Sequence, residues 1–169
     1  SNGRLVGGAS LGVDLGQVSA VPVAREHVDR IARAIRDGDD PQLIGSAKEL
    51  LESVSKIVIA SQGEVPPSQF PALISKALEI LKLHPKASPA DREGLVAPVR
   101  TILSSVQQIA LAINELRRDY GTGHGRPIET VRLERRHARF AAGSAVVIAT
   151  FMLDTFEDPE APWRQSDRE

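Results

Sequence analysis

A chain of 169 residues, 41% apolar and 25% charged, has the size and balance of one globular domain. A formal net charge of −1 excludes a protein that coats nucleic acid by bulk positive charge, and the lack of cysteine excludes disulfides and thiolate metal sites. Aromatics make up only 4%, so the core has to be built from Leu, Ile, Val and Ala, which suits helix packing better than a β-sandwich.

Residues 1–20 hold five of the 13 glycines (Gly3, Gly7, Gly8, Gly12, Gly16) without a sustained helical period. They read as a flexible arm, or as a tether from an upstream sensor domain. They also lack the basic start and apolar core of a signal peptide. A short helix is expected from Val23 to Arg36, ending at Asp37-Gly38. The next begins at Asp39-Asp40-Pro41, an acidic cap with Pro in the first turn. Its apolar positions Leu43, Ala47, Leu50, Val54 and Ile57 recur every three or four residues up to Gly63, and Pro66-Pro67 bars continuation.

A third helix is expected over Ser68 to Leu83, with a loop at His84-Pro85 and Ser88-Pro89. The fourth carries the clearest seam, Val99, Ile102, Val106, Ile109, Ile113 and Leu116, which calls for partner helices. It runs into Arg117-Arg118-Asp119-Tyr120 and breaks at Gly121-Thr122-Gly123-His124-Gly125. The final helix is expected from Glu129 to Phe156, followed by a polar tail over 158–169. Its apolar run Phe140 to Leu153 is shorter than the roughly 20 residues of a membrane span and reads as a core helix. Period-two alternation is absent. The expectation is an all-α, up-and-down bundle of four long helices plus a short N-terminal one, filling residues 21–157.

Between Glu115 and Arg139 seven arginines (117, 118, 126, 132, 135, 136 and 139) stand against four acids. The same span contains His124 and His137. Gly121, Gly123 and Gly125 free the backbone to turn amides toward an anion. This mixture fits RNA cleavage without a metal or cofactor. Histidine titrates near neutrality and can give or take the ribose and leaving-group protons, while arginine forks onto phosphate oxygens. A solvated loop between two helices is the plain alternative. No strand precedes the glycines, so a dinucleotide fingerprint fails. There is no Gly-x-Ser-x-Gly elbow, and the acids show no metal-ligand spacing.

His27 is expected on a helix surface and His84 before a proline. Lys48–Glu52 and Glu52–Lys56 are ordinary i, i+4 surface pairs. The functional alternative turns Glu49 or Glu52 toward the Arg-rich loop, to hold Arg117 or His124.

The run Asn114-Glu115-Leu116-Arg117-Arg118-Asp119-Tyr120-Gly121-Thr122-Gly123-His124-Gly125 resembles the signature of the abortive-infection C-terminal domain family. Asp40 to Ser53 is similar to that family's early helix, and Arg136-His137-Ala138-Arg139 with the Ala-rich stretch to Phe151 to its last. The resemblance spans about residues 26–157 and places the chain near the HEPN superfamily, helical bundles of prokaryotic defence and toxin systems.

Many members of that superfamily are metal-independent endoribonucleases with Arg, four to six residues, then His. Arg117 and His124 enclose six residues, and Arg118 stands where the superfamily commonly has Asn, Asp or His. The resemblance implies Arg117 and His124 as catalytic residues. Arg118, Asp119, Tyr120, Gly121, Thr122, Gly123, Gly125, Arg126, His137, Glu49 and Glu52 would support them or bind RNA. It also implies a homodimer, whose two-fold axis supplies a second His124; His137 is the within-chain alternative. The expected partners are RNA, a second copy, and an antitoxin or upstream sensor, in the cytoplasm and away from membranes. The rival reading is a non-catalytic nucleic-acid-binding or protein-interaction domain of the same fold.

Overall fold

A computed structural model describes residues 21–84, 96–120 and 133–165. Among them are six helices and no strand: α1 (Pro22–Asp37), α2 (Asp40–Ser61), α3 (Phe70–Ile80), α4 (Val96–Tyr120), α5 (Arg135–Glu157) and the single turn α6 (Pro162–Gln165). The all-α bundle expected from apolar periodicity is the fold.

Helix α2 is its axis. It packs most extensively on α5 and α1, and also on α3 and α4. Its sequence dictates both ends. The Asp39 carboxylate accepts the Gln42 amide at 3.0 Å, and Pro41 occupies the first turn, where no amide donor is needed. Gly38 takes the left-handed conformation (φ 70°) that ends α1 and lets the chain turn straight into this cap. Along α2, Leu43, Ile44, Ala47, Leu50, Leu51, Val54, Val58 and Ile59 are all buried. Removing each such Leu or Ile from water contributes about 1.5–3 kcal/mol.

Helix α5 packs extensively on this axis with an alanine-rich inner face: Ala138, Ala141, Ala142, Ala145 and Ala149 are buried, with Val146, Ile148, Met152 and Leu153 beside them. By length and composition alone, the stretch 135–164 is apolar enough to cross a membrane. Its inner residues are instead part of the bundle core, and the outward Phe140, Val147 and Phe151 are exposed.

Four boundaries and faces differ from the sequence expectation. α3 is only 11 residues long, because Lys82 adopts φ 59° and the Leu83 and His84 amides both close onto the Leu78 carbonyl. α5 starts at Arg135 rather than Glu129: Leu133 and Glu134 are non-helical, and Glu134 is extended (ψ 141°). On α4 the expected seam is covered only toward its C-terminal half. Ile113 is 1% exposed, whereas Ile102 is 59% exposed, and Leu103 and Ala110 complete the buried face. The segment read as a polar tail folds back. Trp163 is buried, stacks on Phe156 at 5.4 Å and donates its indole N–H to the Thr155 carbonyl at 2.8 Å.

Candidate functional site

Positions 48, 49, 52, 53 and 56 of α2 are spaced to form one helical face, the face opposite to Leu50, Leu51 and Val54. They are Lys48, Glu49, Glu52, Ser53 and Lys56. His27 on α1 and Arg117 on α4 close the same space, a cleft of about 280 Å³. Arg117 arrives there because it lies one turn beyond Ile113, on the face of α4 that packs against α2. Its neighbour Arg118 is rotated outward, 73% exposed, and donates to Asp119 at 3.0 Å. A larger depression lined by Arg33, Asp37 and Asp39 lies elsewhere on the surface and contains no residue of the glycine signature.

The charges in the cleft are largely matched. Glu52 accepts hydrogen bonds from Lys48 and, at 2.7 Å, from Lys56. Burial pushes its carboxyl up, and the two lysines more than offset this, so that it is held below the ordinary carboxylate value. Glu49 accepts from Arg30 at 3.2 Å and faces His27 Nδ1 at 3.5 Å. Among the described residues Arg117 has no acidic partner, unlike Lys48 and Lys56 of the same cleft.

His27 is a correction. Expected on a helix surface, its side chain is 12% exposed, and Nε2 lies 2.9 Å from Ser53 Oγ. Burial pushes its basicity below the ordinary value, against the pull of Glu49. Sequence reading missed it, although position 27 falls between Ala24 and Ile31 in the apolar period of α1, where an inward residue belongs. Ser53, Lys48 and Lys56 were missed as site residues because each also fits a solvated helix face.

Of the expected residues, the structure brings Arg117, Glu49 and Glu52 together. Arg118, Asp119 and the half-buried Tyr120 end α4 outside the cleft lining. His137 is exposed on the first turn of α5 and does not line the cleft either. His124 lies outside the described residues, with Gly121, Thr122, Gly123, Gly125 and Arg126. Among the described residues no group of three or more His, Asp or Glu is placed to hold a metal ion.

A helical bundle with α2 at its axis and an Arg at the end of the helix before the glycine run has a counterpart among known families. The model of the HEPN-like domain found at the C-terminus of abortive-infection proteins matches residues 22–156. The chain belongs to that family. The match covers all five packed helices of this HEPN-like domain, from Pro22 at the start of α1 to Phe156 near the end of α5. No curated protein and no solved structure matches it.

Proposed function

We propose that this HEPN-like domain is a metal-independent endoribonuclease of an abortive-infection or toxin system, cutting RNA by attack of a ribose 2′-hydroxyl on the neighbouring phosphorus. The observation that carries the reading is Arg117, a guanidinium without an acidic partner among the described residues, at the rim of a cleft whose other cations are already matched. A planar, permanently charged fork of this kind suits a phosphodiester and the extra charge it gains in the transition state. His124, seven residues on, supplies an imidazole able to transfer a proton to or from the reacting oxygens. The product is a 2′,3′-cyclic phosphate.

The exposed Arg136 and Arg139 on the first turns of α5 give the RNA backbone further contacts. On this reading the domain works in the cytoplasm as a homodimer, with an antitoxin or a sensor domain restraining it. The deciding experiment is incubation of the purified chain with mixed RNA in EDTA, wild type beside His124→Ala. Cleavage that survives the chelator and disappears in the variant is the expected result. A wild type that leaves RNA intact, or a variant as fast as wild type, defeats the reading.

A further inference from the structure

We propose that Ser53 and His27 form a proton relay serving the Arg117 cleft, with Ser53 Oγ taking the proton of the attacking ribose 2′-hydroxyl and passing its own to His27. The proposal rests on the endoribonuclease reading and adds to it the identity of the base. Three observations meet here. His27 Nε2 lies 2.9 Å from Ser53 Oγ. Behind the ring, Nδ1 is buried without a hydrogen-bond partner and faces the Glu49 carboxylate at 3.5 Å. Ser53, His27 and Arg117 all line one cleft.

The carboxylate fixes the direction of transfer. A negative charge beside Nδ1 favours the tautomer protonated there, which leaves Nε2 to accept the Ser53 hydroxyl proton. The Ser53 oxygen lone pairs are then available to a ligand in the cleft. Glu26 and Arg30 on α1 and Glu49 and Glu52 on α2 are the charges that act on His27, with Lys48, Lys56 and Arg117 in the same cleft. Burial is the strongest influence and favours the neutral ring, the form that can receive a proton; Glu49 is the strongest opposing one and stabilises the imidazolium once formed. Holding α1 to α2 requires neither a carboxylate behind the ring nor, in the same cleft, a guanidinium unmatched among the described residues.

The step balances. The O2′–H bond breaks as Ser53 Oγ gains that proton, and the Ser53 O–H bond breaks as His27 Nε2 gains the other. The freed O2′ electron pair forms the bond to phosphorus, and the P–O5′ bond breaks with its pair going to O5′. That oxygen takes a proton from the acid, the role left to His124. Base and acid then differ.

The test uses the full chain and a DNA oligonucleotide containing one ribonucleotide, with its all-deoxy counterpart as a binding probe. His27→Gln keeps a hydrogen-bonding group against Ser53 but cannot be protonated. It is expected to lower kcat by about 10²–10⁴-fold and to abolish the acidic limb of the pH–rate profile, while affinity for the all-deoxy probe is unchanged. Ser53→Ala is expected to lower kcat alike. Should either variant unfold, Glu49→Gln decides, because loss of that carboxylate moves the acidic limb to lower pH. Wild-type cleavage with an unmoved limb in Glu49→Gln, or with kcat retained in His27→Gln, overturns the relay and leaves the ribonuclease reading standing. A wild type that does not cleave overturns both.

Discussion

The Arg135 guanidinium reaches back across 100 residues to donate to the carbonyl oxygen of Ile35 at 3.2 Å. The first residue of α5 is thereby tied to the last turn of α1, and the same guanidinium lies over Gly38, where an added Cβ would come within 3.0 Å of it. Gly38 thus answers two demands at once. It supplies the left-handed turn between α1 and α2, and it leaves room for the tie that sets where α5 begins.

Gly38→Ala is expected to destabilise the fold by about 1–2 kcal/mol from the left-handed backbone alone. Displacement of Arg135 adds to this. Gly63 shares the positive φ (71°) but has nothing within 4 Å of an added Cβ. Gly63→Ala should therefore cost less. Thermal unfolding of the two variants side by side measures the difference, at roughly 2–4 °C per kcal/mol for a chain of this size.

The alanine-rich face of α5 packs on α2. Enlarging it by Ala145→Leu, at a residue 0% exposed, is expected to cost about 1–3 kcal/mol through overpacking. Truncating the buried face of α2 by Leu50→Ala, at a residue 0% exposed, is expected to cost about 2–5 kcal/mol. Urea midpoints should fall in both, with unchanged slopes if the native and denatured states keep their compactness.

Trp163 is the only tryptophan, so its fluorescence reports one place. Its emission should be blue-shifted in the native state and move to the red when residues 158–165 detach. Trp163→Ala removes both the stack on Phe156 and the hydrogen bond to Thr155, and is expected to cost about 3 kcal/mol. A variant as stable as wild type would show that the segment merely rests on the bundle.

The pH dependence of stability has a definite sign. His27 is held below its ordinary 6.5 by burial, so the unfolded chain binds its proton more readily than the folded one. The associated stability is complete above pH 6.5 and is lost as the pH falls below it. Glu52, held below 4.5, adds a second loss further into the acid range. Stability measured by denaturation from neutrality to about pH 5 should fall in wild type and change less in His27→Gln.

Arg117 can be separated from the fold. It has no ion pair among the described residues, so Arg117→Ala should change stability by no more than about 0.5 kcal/mol. RNA cleavage should fall by about 10²–10³-fold, as for loss of one group stabilising developing charge. Arg117→Lys retains the charge without the fork, and should recover binding more than rate.

The helical bundle could be read directly from the chain. Periods of three and four through Leu43, Ala47, Leu50 and Val54, and punctuation by Asp37-Gly38, Pro41 and Pro66-Pro67, are local rules acting over a few bonds. The resemblance around Arg117 was legible for the same reason, since it is a contiguous motif. The facing of side chains was not. Ile102 and Ile113 look alike in an apolar seam, and only the positions of the other helices leave one in water and bury the other. His27, Ser53 and Glu49 sit on different helices or on a face that also reads as solvated, and nothing in their spacing announces an encounter. That encounter exists because α1 packs by direct contact along α2, and burial then alters the chemistry of a histidine that looks ordinary in one dimension.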